Sequence, residues 1–106
     1  NTKMKCIQIK RKMGWCDDIE KPKKYNRLIS ISKDIHHEKL YRKDFKYDLL
    51  IPIKYNFKKR IIGKGSCIFV HLTNNYKPTA GCIALKKKDF LIMIKLISKN
   101  TKIKIS

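Results

Sequence analysis

Ser66–Leu85, SCIFVHLTNNYKPTAGCIAL, is the stretch on which the reading of the whole chain turns. Ser66–Leu72 (SCIFVHL) is nearly all apolar and rich in β-formers, which predicts a central strand buried on both faces. Thr73–Ala80 carries Asn-Asn and Pro78 and reads as a loop. Gly81–Leu85 returns to apolar residues as a short buried strand or turn. His71 therefore ends one strand, and Cys82, eleven residues later, opens the next. That placement suits nucleophilic cysteine chemistry, because the attacking species is the thiolate. A thiol with an ordinary pKa of about 8.5 needs an imidazole or a helix-end dipole beside it to ionise at neutral pH. Gly81 permits a close backbone approach, so the amides of Gly81 and Cys82 can face a developing oxyanion. Spacing alone leaves a second reading open, in which His71 is a buried polar residue and Cys82 a core thiol.

Working outward, the flanks predict a mostly-β domain. Tyr47–Tyr55 (YDLLIPIKY) reads as a strand, and Pro52 within it argues for an edge or a bulge. Asn26–Ser32 (NRLISIS) alternates and predicts a short strand. Lys3–Arg11 (KMKCIQIKR) predicts a further strand with slipped alternation, and Thr101–Ile105 (TKIKI) a last one. Gly14–Tyr25 is polar and turn-rich and reads as a loop, and Asp34–Lys43 as one or two helical turns. Lys87–Ser98 places Phe90, Leu91, Ile94 and Ile97 on one helix face, and Met93 and Leu96 form a second strip that predicts packing on both sides. The fold class expected is mostly β, with sandwich-like mixed sheets and one α-helix in the C-terminal half. With 106 residues the chain is expected to be one domain, residues 1–106.

Composition narrows the function. The net charge is +19, and lysine supplies 23 of the 27 basic residues. Arginine, the better bidentate reader of phosphates and bases, is scarce, and the lysines are spread along the whole chain. A solvated basic surface with no specific nucleic-acid partner is the expectation, although such a charge attracts polyanions at low salt. No apolar run approaches the roughly 18–20 residues of a membrane span, and no secretory signal is visible. The four cysteines, at 6, 16, 67 and 82, contain no C-x-x-C pair, which excludes a zinc ribbon or thioredoxin-like motif. Cys6 and Cys67 sit in apolar segments and are expected to be small buried hydrophobes. His36-His37-Glu38 lacks a second ligand cluster, so no metal site and no cofactor is expected. Asp17-Asp18 predicts an Asx-type turn, and GKGS (Gly63–Ser66) a tight turn before a strand, since the Walker spacing is absent.

Several motifs, taken in order, carry a resemblance. GKGSCIFVHL, then YKPTAGCIAL, then an acidic residue opening an apolar helix, closely resemble the catalytic segment of the L,D-transpeptidase family of the YkuD or ErfK type. Upstream, GWCDDIEKPKKYNRLI is similar to the family's Gly-Trp-Cys-Asp-Asp segment with its following Tyr-Asn pair. HEKLYRKDFKYDLLIPIKYN is similar to its His-Glu stretch and to the strand ending in Tyr-Asn, here Tyr55-Asn56. The resemblance implies the L,D-transpeptidase catalytic fold, Cys82 as nucleophile and His71 as general base. It further implies oxyanion amides from Gly81 and Cys82, support from Thr79, an orienting carbonyl from Leu72, and substrate contacts from Tyr55 and Asn56. The implied reaction is acyl transfer on peptidoglycan stem peptides: a thioacyl-enzyme forms as the terminal D-alanine leaves. An amine acceptor then gives a 3–3 cross-link, and water makes the same machine a carboxypeptidase. A monomer in the periplasm or cell envelope is implied as well.

The sequence departs from the family at three places. Ala80 and Ala84 stand where many members have a second histidine and an Arg or Asn. Family domains also have further strands before the Gly-Trp-Cys-Asp-Asp segment, so upstream strands are expected to be missing from this chain. Two alternatives remain beside the acyltransferase: a basic module that binds polyanions or nucleic acid, and an inactive relative that only binds peptidoglycan.

Overall fold

The computed structural model describes residues 5–74, 82–98 and 100–103. They form two three-stranded sheets and one α-helix. The first sheet has β1 (Met13–Cys16) at its centre, flanked by β2 (Leu28–Ser30) and β3 (His37–Lys39), both antiparallel to it. Trp15 pairs with Leu28 on one side and with Glu38 on the other. Gly14 is needed at this centre. A Cβ there would lie 3.1 Å from the Ile31 side chain and 3.2 Å from the Glu38 carbonyl, closer than most real contacts.

This sheet corrects three expectations. Gly14–Tyr25 is not all loop, because Gly14, Trp15 and Cys16 form the middle of the sheet. Asp34–Lys43 is not helical: a turn leads into β3, whose backbone groups are taken by β1. The strand expected over Lys3–Arg11 does not form across its described part. Residues 5–10 have no regular structure, and Cys6, expected to be buried, is exposed. In each case ladder pairing outweighed local pattern, since a strand exists only where a partner accepts its N–H and C=O groups.

The second sheet has the order β4 (Leu50–Pro52), β5 (Phe69–Leu72), β6 (Ile83–Leu85). β4 runs antiparallel to β5, with Leu50 opposite His71 and Pro52 opposite Phe69. Pro52 lies on the edge strand, where its missing N–H is tolerated. β6 runs parallel to β5, with Val70 opposite Ile83 and Leu72 opposite Leu85. All four residues of β5 are buried, as its continuous apolar run predicts.

Alternation along β5 divides its side chains between two cores. Val70 and Leu72 pack with Phe90 of helix α1 (Lys87–Leu96), and Ile83, Leu85, Met93 and Ile94 surround them. Phe69 joins Trp15, Leu40 and Tyr47 on the other side, where the two sheets meet. The helix packs on one face only. Of the second strip Met93 joins this core and Leu96 is 81% exposed, while Leu91, expected on the first face, is exposed together with Ile92. Asp89 in the first turn and Lys95 in the last match the helix dipole. The last predicted strand does not appear in its described part: Thr101–Ile103 have no regular structure, and Lys104–Ile105 lie outside the described residues.

A long loop after β4 is stitched to the first sheet. Trp15 Nε1 donates to Asn26 Oδ1 at 2.8 Å, and the Asn26 amide donates to the carbonyls of Tyr55 and Asn56 at 2.9 and 2.7 Å. Arg27 donates to the Phe57 carbonyl at 2.6 Å with its guanidinium over the Phe57 ring. Ser66 Oγ donates to the Cys16 carbonyl at 2.7 Å. Asn26 is almost fully buried and all its amide atoms are used, which is how a buried polar side chain is tolerated. These bonds fix the approach to β5 from the side of the first sheet.

Candidate functional site

His71 and Cys82 lie on one face of the β5–β6 pair. His71 stands opposite Ala84, and Cys82 lies two residues before Ala84 on the same strand line, so the two are diagonal neighbours. Both side chains turn toward the junction of the sheets. Cys82 packs against the cluster of Trp15, Leu40, Tyr47 and Phe69, and the His71 ring lies 5.6 Å from that of Tyr47. A parallel register brings this about, because it sets the beginning of β6 beside the beginning of β5.

The His71 imidazole is 9% exposed, and its Nδ1 lies 2.9 Å from the Leu72 carbonyl oxygen. A carbonyl only accepts, so Nδ1 carries the proton in this contact. In the neutral ring the lone pair is then on Nε2, the atom a base would use. The Cys82 thiol donates to the Cys67 carbonyl at 3.2 Å. Cys67 is held at φ 61°, in the left-handed region that a residue with a Cβ rarely adopts.

The electrostatics keep the resting thiol protonated. Burial pushes the Cys82 thiol pKa up, the main-chain amide of Phe69 pulls it down, and the nearby Glu38 carboxylate raises it again. Burial pushes the neighbouring Cys67 thiol further, up to about 12. Burial and the Glu38 carboxylate also raise the Tyr47 hydroxyl. A thiol in such surroundings needs a specific proton acceptor to react at neutral pH, and an imidazole on the same face is a group of that kind.

The other predicted residues fall in different places. Gly81 and Thr79 lie outside the described residues. Tyr55 is 54% exposed on the loop after β4, and its ring would lie 2.9 Å from a Cβ on Gly65. Asn56 uses its side chain on that loop: Nδ2 donates to the carbonyls of Ile61 and Gly65, and Oδ1 accepts from the Ile61 amide. Its φ of 52° fits a turn residue. The structure thus joins Tyr55 and Asn56 to the Trp15–Asn26 network rather than to His71 and Cys82.

Asp18 forms the expected Asx turn, accepting from the Glu20 amide at 2.9 Å, and also accepts from the His36 amide at 3.0 Å. His36 pairs with Asp17 at 2.5 Å, and among the described residues no group of three His, Cys, Asp or Glu is arranged to hold a metal ion. Sequence reasoning missed the contribution of Glu38 and Tyr47. The only available signal was the position of both residues within the motif stretch from His37 to Asn56.

Among the described residues no helix is long and apolar enough to cross a membrane. Searches of curated proteins and of solved structures find no match to this chain. One family model does match, that of YkuD, the L,D-transpeptidase catalytic domain, and it covers residues 7–105. The mostly-β arrangement of two small sheets and a single helix agrees with it. With nearly its whole length matched, the chain belongs to the YkuD family of L,D-transpeptidase catalytic domains, a family that acts on peptidoglycan.

Proposed function

We propose that the chain is a cysteine acyltransferase of peptidoglycan stem peptides, acting in the cell envelope through Cys82 and His71. The observation that carries this reading is the shared face of β5 and β6, where the imidazole is pinned through Nδ1 and the thiol stands diagonally beside it. In the first step the Cys82 proton passes to His71 Nε2 as sulfur attacks the carbonyl of the stem's third residue. A C–S bond forms, and the carbonyl π electrons move to oxygen, where the amides of Gly81 and Cys82 would stabilise them. Collapse of this adduct breaks the C–N bond, and the imidazolium returns its proton to the departing D-alanine amine. An amine on a second stem then attacks the thioester and loses a proton through His71, which releases the thiol and leaves a cross-link. Water in the same place gives carboxypeptidase activity.

Thr79, three residues before the nucleophile, would support the loop that carries these amides. The net charge of +19 would favour residence near anionic wall polymers without choosing a sequence or a base. The assignment is tested by incubation with a carbapenem-type β-lactam and intact-mass measurement. The wild type should gain one acyl group and Cys82→Ala none; equal labelling of the two proteins would remove Cys82 from the nucleophile's role.

A further inference from the structure

Glu38 belongs to the first sheet, paired with Trp15 across β1, yet its carboxylate reaches the junction that His71 and Cys82 face. It accepts a hydrogen bond from the Tyr47 hydroxyl. The Tyr47 ring is in turn enclosed. Phe69 meets it edge-on at 5.7 Å, the His71 imidazole lies at 5.6 Å and 61°, and the Arg42 guanidinium sits over it at 4.9 Å. The Arg42 fork is occupied by Asp44, at 2.8 and 2.6 Å, so the Glu38 carboxylate remains with the tyrosine.

We infer that Glu38 and Tyr47 are positioning residues for His71: the carboxylate from β3 fixes the tyrosine hydroxyl, and the tyrosine ring fixes the imidazole beside Cys82. The inference rests on the reading of His71 and Cys82 as base and nucleophile. A single hydrogen bond from Nδ1 to Leu72 leaves the imidazole free to rock about that bond. The tyrosine ring packed against the imidazole restricts that freedom, and a contact of this type contributes roughly 0.5–1.5 kcal/mol. A hydroxyl bound to an ionised carboxylate makes one of the stronger hydrogen bonds, so the ring itself is held firmly. Neither residue needs to touch the reacting atoms.

The pair also sets the charge around the thiol. Among the described residues, the titratable groups near Cys82 are Glu38 from β3, His71 from β5, Cys67 from the turn before β5, and Tyr47 with Arg42 above it. Glu38 is the acid of this set, and its negative charge opposes formation of the thiolate. Position and charge can therefore be separated by two conservative changes. Tyr47→Phe breaks the tether and leaves the charge; Glu38→Gln keeps an acceptor oxygen for the hydroxyl and removes the charge.

The test follows the rate of iodoacetamide alkylation at Cys82, mapped by peptide mass spectrometry between about pH 6 and 10, with a thermal melt of each variant as control. Tyr47→Phe should slow alkylation at neutral pH by at least about threefold, in keeping with the loss of a hydrogen bond worth around 1 kcal/mol. Glu38→Gln should react no more slowly than wild type, with its pH midpoint moved downward as the opposing charge disappears. A Tyr47→Phe protein that reacts like wild type overturns the inference. So does a Glu38→Gln protein as slow as Tyr47→Phe, or one whose midpoint does not fall. Alkylation needs no acyltransferase activity, so the two readings fail separately. A wild type that alkylates with the expected variant pattern but takes up no carbapenem defeats the proposed reaction and leaves the positioning pair standing.

Discussion

The two sides of β5 do different work with the same four residues. Toward α1, Val70 and Leu72 meet Phe90, Met93 and Ile94, and the contact is aliphatic and aromatic packing without a polar group. Toward the first sheet, Phe69 and His71 meet Tyr47, whose hydroxyl is tied to Glu38, and the Cys82 thiol packs against the same cluster. One side fixes the strand by burial. The other places an imidazole and a thiol by directed contacts, each of which depends on a particular atom. The difference teaches that stability and reactivity are separable here, although they share a strand.

The largest expected effects come from breaking one side at a time. His71→Ala should reduce Cys82 acylation by about 10²–10⁴-fold, the usual contribution of a positioned base, while the thermal melt stays close to wild type. Phe90→Ala should lower stability by roughly 3–5 kcal/mol in urea titration, because it empties a fully buried site between the helix and β5. If His71→Ala proves to be the unfolding change and Phe90→Ala the silent one, the division of β5 is wrong.

A subtler contrast lies between two thiols of the polar side. Burial raises both, but Cys67 is pushed up to about 12 while Cys82 is aided by the Phe69 amide. A raised pKa means that the thiolate fraction is small at neutral pH and grows as pH increases. Alkylation of Cys82 should therefore climb through the mildly alkaline range while Cys67 stays largely unmodified. Peptide mapping that finds Cys67 modified first would reverse the order of the two sites.

The smallest effect belongs to the uncovered face of the same helix. Leu96 is 81% exposed, so Leu96→Lys should change stability by less than about 0.5 kcal/mol. A much larger loss would show that this face is covered in solution. Together with Phe90→Ala, the measurement sharpens which side of α1 contributes to the fold.

How much of this was legible depended on where the information resides. β5 could be read because a fully buried strand needs no alternation and carries its apolar run on its own sequence. α1 could be read because Phe90 and Ile94 share a helical face. β1 could not, since Gly14, Trp15 and Cys16 show no period and sit next to turn-forming aspartates; their strand is made by β2 and β3. His37–Lys39 was hidden for the same reason.

The candidate pair stood out as residue types at the ends of two apolar runs. Its placement on one face required the parallel register of β5 and β6, which no local pattern specifies. Glu38 and Tyr47 were less visible still. Their bond joins β3 to the turn before β4, and the packing of Phe69 between Trp15 and Tyr47 helps bring them to the same place.

The left-handed backbone at Cys67 bears on timing. The Cys67 carbonyl accepts a hydrogen bond from the Cys82 thiol, which keeps its proton on sulfur. In the proposed reaction the sulfur leaves that latch before the imidazole receives the proton, a rotamer change of the picosecond-to-nanosecond class. Releasing one hydrogen bond costs about 1 kcal/mol, less than a tenfold change in rate. On the proposed reading, the latch is therefore too weak to limit turnover, yet it holds the resting thiol on a carbonyl rather than on the imidazole.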